Sequence, residues 1–229
     1  GIGGTGIVLM EKSHIADAKM RIFNQDGSEG KMAGNSIRCV AKYLYDTGVT
    51  SKKVIQIETA SGIRTLRLYT MNGKVSSVSV DMGQASLNPV DIRTTLTGDE
   101  IVNRPVTVGG EEYAITCVSI GNPHCVVFCS RVDDVDIETV GPQFENADIR
   151  VVNEATLKMR VWERGNGETL ACGTGACAAV VAATRLGYFK KGTDVTVKLP
   201  GGDLIVRYTD EGVTLTGEAK LVYEGEVEL

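Results

Sequence analysis

Cys172 is the residue of this chain whose setting is best suited to chemistry. It lies between a strand-like run, residues 157–162, and a run of small residues, 176–186, that can form a helix. At such a helix start, unpaired backbone N–H groups and the positive end of the helix dipole favour a thiolate, so we expect a lowered thiol pKa. Gly173 and Gly175 allow a carboxylate or phosphate to approach those N–H groups. The pattern indicates a nucleophile or base beside an anion site; a small buried cysteine is the structural alternative.

The elements that would position Cys172 occur twice. The stretch 33–36, Ala-Gly-Asn-Ser, resembles 172–175, Cys-Gly-Thr-Gly, and we predict helices over 35–46 and 174–187. Strand-like segments then follow in the same order in both halves, pairing 54–59 with 195–200, 62–68 with 202–208, and 78–85 with 213–219. This order predicts two similar lobes with a ligand site in the cleft between them. Chance similarity of two ordinary α+β halves is the alternative.

The duplication contains one chemical asymmetry. One half has Cys172 at the start of its helix, and the other half has Ala33 at the equivalent position. If two thiols face each other across such a cleft, one of them is absent here.

A set of motifs spread over nearly the whole chain resembles the diaminopimelate epimerase family. The combination of Gly121-Asn122-Pro123-His124 with the stretch 171–177 is the most specific part. The matching motifs are residues 1–6, 24–29, 34–39, 121–124, 163–169 and 171–177. The resemblance implies a cofactor-independent amino-acid epimerase of lysine and peptidoglycan-precursor synthesis, which uses two cysteines on opposite faces of the substrate α-carbon.

The resemblance also implies a fold. We expect an α+β protein with two pseudo-symmetric lobes, each a mixed β-sheet wrapped around a central helix, and an active site in the cleft between them. We assign residues 1–84 to the N-terminal lobe and 85–220 to the C-terminal lobe. A final strand near 221–229 is expected to join the first lobe.

Site residues follow from the matched motifs. The resemblance implies catalytic positions at Cys172, at Ala33 in place of the missing cysteine, at His124 and at Glu163. Arg164 suits a substrate carboxylate, because its planar guanidinium can bind one through two hydrogen bonds. In isolation His124 would more often be structural, and Glu163 with Arg164 could be a solvated pair. The implied substrate-binding residues are Asn24, Gly34, Asn35, Asn122, Glu163, Arg164, Gly173 and Thr174.

Three departures from the family pattern stand out. Ala33 replaces a cysteine, and Cys39 does not substitute for it because Cys39 matches a second, non-catalytic cysteine of that helix. The family's opening segment, with a further substrate-binding asparagine, has no counterpart before Gly1, and we expect it to be missing. A segment with another asparagine is also absent before the strand at 150–152, so we expect a chain break or a deleted loop between Ile149 and Arg150.

Composition agrees with a cytoplasmic enzyme that acts on a small molecule. The net charge is −5 over 229 residues with scattered basic residues, which argues against a nucleic-acid partner. No apolar run approaches membrane-spanning length. The six cysteines and two histidines lack zinc-site spacing, and no metal or other cofactor is expected. The family resemblance implies a diamino dicarboxylic acid as the substrate, and a homodimer is compatible with the sequence.

The sequence hypothesis is an LL-to-meso diaminopimelate epimerase without a pyridoxal cofactor, impaired or inactive because Ala33 replaces one catalytic cysteine. A substituted cysteine would explain an otherwise complete motif set. Two alternatives stay open. One is a natural one-base relative, such as a dehydratase that needs proton abstraction on one face only. The other is a catalytically silent amino-acid-binding protein, which need not retain Cys172.

Overall fold

The computed structural model describes residues 6–24, 26–30, 32–92, 94–144, 147–153, 155–163 and 166–226. Within them the chain is mixed α+β, with four α-helices, one short 3₁₀ turn at Val132–Asp134 and strands that join in a 15-stranded sheet. The helices are α1 Gly34–Asp46, α2 Pro89–Ile92, α3 Ile137–Phe144 and α4 Gly173–Arg185. The strands are β1 Gly6–Glu11, β2 Ala18–Asn24, β3 Glu29–Gly30, β4 Val54–Thr59, β5 Gly62–Met71, β6 Lys74–Gly83, β7 Arg104–Val108, β8 Glu111–Ser119, β9 Pro123–Phe128, β10 Ala147–Asn153, β11 Thr156–Glu163, β12 Gly167–Thr169, β13 Asp194–Leu199, β14 Gly202–Tyr208 and β15 Val213–Glu218.

The strand order is symmetric about the central pair β6–β15 over five strands on each side. One half runs β1-β2-β4-β5-β6, and the next strands run β15-β14-β13-β11-β10 before ending in β9-β8-β7. Each half has a parallel pair at the equivalent place, β2 with β4 and β11 with β13, and a short strand, β3 or β12, pairs antiparallel with the first partner. Strands β9 and β10 form a further parallel pair outside this repeat. A parallel pair needs a long crossover. Helix α1 lies in the crossover from β2 to β4, and α4 lies in the one from β11 to β13. This topology supports the predicted duplication, and the α+β class is confirmed.

We call β1–β6 with α1 the N-terminal unit and β10–β15 with α4 the C-terminal unit. They join through the antiparallel pair of β6 and β15, in which Val80 faces Leu215. The lobe boundaries at 84 and 85 stay predictions. The predicted final strand is wrong for the part of it that is described, because residues 221–226 form no strand.

Strand β10 runs without interruption across the junction at which we expected a break. Ile149 is paired with Met159, and the next residue, Arg150, is paired with Lys158 in the same antiparallel register. Strand β10 therefore spans this junction, and both expectations for it, a chain break and a deleted loop, stay predictions.

The two predicted helices are confirmed, and both begin in the same way. Ala33 precedes α1 with φ −135° and ψ 121°, and Cys172 precedes α4 with φ −129° and ψ 111°. Both carbonyls accept the first intrahelical bond at 3.0 Å, from the N–H groups of Ile37 and Ala176. Both residues therefore occupy the N-cap position, and Ala33 is the backbone equivalent of Cys172.

The helices differ in how much of their surface is buried. Helix α1 is amphipathic, with Ile37, Val40 and Leu44 in the core. Helix α4 is buried on nearly every side, because its glycine, alanine and valine residues let strands approach closely from all directions. Both helices belong to one apolar cluster that includes strands of both units, so the core that supports the two helix starts is shared.

The closest approach of the two helix starts is made by glycines. A Cβ atom on Gly34 would lie 2.8 Å from Leu215 Cδ2 and 3.7 Å from the Cα of Gly173. A Cβ atom on Gly173 would lie 2.9 Å from the same Cδ2 and 3.5 Å from the Cα of Gly34. Neither site has room for a side chain, and Leu215 of the central strand β15 packs against both.

We predict that Gly34→Ala destabilises the protein by about 1–3 kcal/mol, the usual cost of overpacking a core. The measurement is the free energy of unfolding in urea. Gly225→Ala is the matched control, because no atom lies within 4 Å of its added methyl group, and its effect should stay within about 0.5 kcal/mol. Leu215→Val removes the obstructing Cδ atoms, so it should cost less in the Gly34→Ala background than in the parent. Equal costs would contradict the three-residue contact.

Candidate functional site

Cys172 lies where the two units meet, and its thiol caps α4. Its Sγ accepts the backbone N–H of Gly175 at 3.3 Å and lies 3.6 Å from the Oγ1 of Thr174. A Cβ on Gly175 would approach that Sγ to 3.2 Å, so the absence of a side chain there keeps the thiol in place. The predicted location at a glycine-bounded helix start is confirmed.

The predicted lowering of the Cys172 pKa is wrong. Burial, followed by the negative charge of Glu163, raises the pKa of this thiol to about 11. The hydrogen bonds from Thr174 and Gly175 oppose the rise but are smaller effects. Desolvation of a thiolate outweighs a helix N-terminus here, because the segment around Cys172 is packed into the core shared by both units. In the resting site Cys172 is a thiol and can give a proton.

A chain of polar side chains connects Cys172 to His124. Asn122 Nδ2 donates to Thr174 Oγ1 at 3.3 Å, and its Oδ1 lies 3.2 Å from His124 Nε2. With the asparagine amide in this orientation, His124 donates through Nε2. Each group then points a donor towards the sulfur, which stabilises negative charge when Cys172 loses its proton.

His124 is a neutral member of this chain. Burial lowers the pKa of its imidazole to about 4, so it is uncharged near neutral pH. It follows Pro123 at the start of β9 and faces Val118 of β8 in the antiparallel register. An imidazole held in one place by two strands is suited to orienting Asn122 rather than to exchanging protons itself.

The N-terminal unit brings Ala33, Gly34 and Asn35 to the same place. Asn35 Nδ2 donates to the backbone carbonyl of Ala171 at 3.4 Å, which ties the start of α1 to the residue before Cys172. The methyl group of Ala33 stands where Cys172 has its thiol and can neither take nor give a proton. The approach of Gly34 to Gly173 and the bond from Asn35 to Ala171 bring the starts of α1 and α4 together, and the site roles of these residues stay predictions.

Glu163 stands on the other side of Cys172. Its Oε1 accepts a hydrogen bond of 2.5 Å from Thr169 Oγ1 across the β11–β12 pair, and its charge acts on the Cys172 thiol. Thr169 is a contact that sequence reasoning missed, although it lies in the matched motif 163–169. Arg164, predicted to bind a carboxylate, lies outside the described residues.

Asn24 is a predicted site residue, and its described contacts are with residues nearby in the sequence. It ends β2 and is exposed, and its Nδ2 donates to Ser28 Oγ at 3.0 Å within the turn that follows. No described contact joins it to Cys172, so its role in substrate binding stays a prediction. Arg38 lies in the matched motif 34–39 but was not among the predicted site residues; its Nη2 donates to Asn35 Oδ1 at 3.1 Å.

No group of three or more His, Cys, Asp or Glu side chains in the described ranges is arranged to hold a metal ion. None of the helices found there has the length and apolar character needed to cross a membrane.

We predict that alkylation of Cys172 by iodoacetamide accelerates about tenfold per pH unit between pH 8 and 10, because the thiolate is the reactive form and its pKa lies near 11. Site-resolved peptide mass spectrometry gives the rate. Glu163→Gln should lower the midpoint of the pH–rate curve, which reports the pKa of Cys172. The decrease should be smaller than the increase that burial causes, since burial is the larger cause. Glu168→Gln removes a neighbouring carboxylate that pairs with Arg160 and should leave the midpoint unchanged. A plateau at or below pH 8.5 would contradict the raised pKa.

We also predict that folding stability falls as the pH is lowered from about 6.5 to 4. The folded-state pKa of His124, about 4, lies below the ordinary value, so protons bind the unfolded chain more tightly in this window and stability is intact only above it. The loss is at most roughly 3 kcal/mol and is reduced by the partial exposure of the ring. Urea unfolding at several pH values measures it. His124→Gln should flatten the dependence, whereas exposed His14→Gln should preserve it.

Comparison with known proteins identifies close relatives. A model of the family described as diaminopimelate epimerase matches residues 1–88 and 116–222. The diaminopimelate epimerase of Acetivibrio thermocellus is 48% identical over 241 residues, which cover 100% of this chain and 85% of that protein. That of Methanococcus maripaludis strain C5 is 44% identical over 241 residues, with 100% and 86% covered. Both alignments exceed the 229 residues of this chain, so each relative carries residues without a counterpart here.

Solved structures share the fold at low sequence identity. A PhzF-family phenazine biosynthesis protein of Bacillus anthracis superposes with a TM-score of 0.73 at 18% identity, covering 99% of this chain and 86% of that one. A hydroxyproline epimerase from Agrobacterium vitis gives a TM-score of 0.66 at 16% identity, covering 93% and 72%. With the family model and the relatives above, the site geometry and the sequence agree: this chain belongs to the diaminopimelate epimerase family.

Proposed function

We propose that the site at the starts of α1 and α4 is built for cofactor-independent epimerisation of diaminopimelate from the LL to the meso form, and that Ala33 leaves it with one proton-transferring group. The observation that carries the proposal is the equivalent N-cap geometry of Ala33 and Cys172, with φ and ψ of −135° and 121° against −129° and 111°. The names of the relatives supply the substrate.

Inversion at an α-carbon needs one group that removes the proton and another that returns a proton to the opposite face. Two N-cap residues on two related units supply opposed groups by symmetry. Each group must change its protonation state near working pH. Cys172 is a thiol at rest, because burial raises its pKa to about 11, and it is suited to the donor role. The group that would act as thiolate belongs at position 33.

The charge that develops on the substrate can be stabilised by the backbone. The N–H groups of the first turn of a helix have no intrahelical partner, and the starts of α1 and α4 point two such sets at one place, since Gly34 and Gly173 are in contact. Fixed donors of this kind stabilise an enolate-like carboxylate without reorganisation. Asn35, Asn122 and Thr174 add side-chain donors and acceptors, and we assign Arg164 to a substrate carboxylate.

The setting of Cys172 argues against the alternative of a catalytically silent amino-acid-binding protein. A pure binding protein has no need for a thiol held by Gly175 N–H and connected to His124 through Thr174 and Asn122. The retained thiol and its polar chain support proton transfer on one face. In this chain the small fraction of Cys172 that is thiolate is the base on that face, so the substrate α-proton should exchange slowly with solvent, faster at higher pH, without inversion of the centre.

We predict that Ala33→Cys raises epimerase turnover by at least about 10²-fold, because the loss of an acid or base group typically costs 10²–10⁴-fold. The assay follows LL-to-meso conversion and uptake of solvent deuterium at the α-carbon for each isomer. The parent should incorporate deuterium into one isomer with little inverted product.

Two matched variants control this experiment. Ala33→Ser introduces a similar volume without a usable acid or base and should stay near the parent rate. Cys172→Ser in the Ala33→Cys background should abolish the gain. Near-normal epimerisation by the parent would contradict the two-thiol proposal. Deuterium uptake without any gain in Ala33→Cys would favour a one-base enzyme, and neither activity would favour a silent binder.

A further inference from the structure

Arg38 is a buried cation that the proton-transfer chemistry does not use. It is the fifth residue of α1 and keeps 5% of its surface exposed. In the part of the chain that the structure describes, the ionisable groups that act on its charge are the thiols of Cys39 and Cys177, and no carboxylate is among them. Burial of a charge without an opposite partner is costly unless hydrogen bonds compensate. The hydrogen bonds of Arg38 therefore indicate its role.

The guanidinium of Arg38 bonds to both units. Nη1 donates to the carbonyl of Gly34 at 3.0 Å, and Nη2 donates to Asn35 Oδ1 at 3.1 Å. On the other side, Nε donates to the carbonyl of Glu218 at 3.5 Å, at the end of β15. The side chain thus connects the first turn of α1 to the strand that joins the units.

The contact with Asn35 determines how its amide is oriented. A guanidinium has donors only, so the Oδ1 of Asn35 must face Arg38. The Nδ2 of Asn35 must then face the carbonyl of Ala171, to which it donates at 3.4 Å. Without Arg38, the amide could turn over and direct Oδ1 at that carbonyl, where two acceptors repel each other. Arg38 selects the orientation that joins α1 to the peptide bond immediately before Cys172.

Gly217 provides the space in which the guanidinium lies. A Cβ at this position in β15 would lie 3.0 Å from both Cζ and Nε of Arg38 and 2.6 Å from Leu204 Cδ2. A glycine here therefore allows a flat cation to pack between α1 and β15. This gives a physical reason for a glycine within the predicted strand 213–219.

The arrangement is present in one unit only. Cys177 is the fifth residue of α4, as Arg38 is of α1, and it is fully buried. The charge of Arg38 acts on Cys177, so the two equivalent positions lie near each other. The two units therefore differ at this position, and the arginine of the N-terminal unit bonds to the unit that holds Cys172.

We propose that Arg38 is a positioning residue that fixes the amide of Asn35 and, through its bond to Ala171, the backbone that carries Cys172. The proposal rests on the proposed function only in taking Cys172 as the proton-transferring group. It gives Arg38 no contact with the substrate.

The test is site-resolved alkylation of Cys172 by iodoacetamide in the full chain, which needs no substrate. Arg38→Met should release the Ala171–Cys172 segment and expose the thiol. The alkylation rate at pH 8 should rise by about threefold or more, which corresponds to a pKa fall of about half a unit. Asn35→Ala should produce the same rise while Arg38 is retained. In the double variant the two effects should not add, since both act through one bond.

Val40→Ala is the matched control for lost stability. It removes buried volume from the same helix and touches no polar group of this network, so it should lower the unfolding midpoint without changing the Cys172 rate. Gly217→Ala perturbs Arg38 in a second way, because the added methyl group displaces the guanidinium while its positive charge remains. This variant should raise the alkylation rate of Cys172 as Arg38→Met does.

Two outcomes would overturn the proposal. One is an unchanged Cys172 rate in Asn35→Ala, which can be read even if Arg38→Met does not fold. The other is an Arg38→Met effect that persists in full when Asn35 is already alanine. Turnover in the Ala33→Cys background reports separately on the proposed function. Its absence there would contradict the epimerase proposal and leave the alkylation result interpretable.

Discussion

The close approach of Gly34 to Gly173, with Leu215 packed against both, is the contact on which the rest of the site depends. A Cβ on either glycine would come within 2.9 Å of Leu215 Cδ2, so the two helix starts can meet only because neither has a side chain there. Leu215 belongs to β15, the strand that joins the two units. The same packing that closes the core therefore also brings together the two helix starts, which Ala33 and Cys172 precede as N-cap residues.

Burial at this meeting point changes the chemistry of the thiol. A cysteine at a helix start is normally favoured as a thiolate, but burial of Cys172 and the charge of Glu163 raise its pKa to about 11. The hydrogen bonds from Gly175 and Thr174 offset part of that rise. Such a site holds a proton until a substrate changes its surroundings, and this suits a donor in a reaction that must exclude water.

The pseudo-symmetric frame carries asymmetric chemistry. Its backbone repeats closely, down to the first helical hydrogen bonds of 3.0 Å in both helices. Its side chains do not repeat: alanine stands opposite cysteine at the N-caps, and arginine stands opposite cysteine at the fifth helical position. In the proposed function, the first difference determines which face of the substrate can exchange a proton. The second bears on how firmly the remaining thiol is held.

The sequence by itself determined the elements and their repetition. The alternation of apolar and polar residues, the glycines at the helix starts and the run of small residues identified α1, α4 and the strands around them. These elements could be predicted because they depend on local periodicity. The same motifs named Cys172, Ala33, His124 and Asn35. Only the tertiary structure decided the sign of the Cys172 pKa shift, the continuity of β10 and the buried role of Arg38. Each of these depends on which distant residues remove water or supply a partner, as when Asn35 reaches Ala171 from the other unit, and no local pattern encodes desolvation by residues more than a hundred positions away.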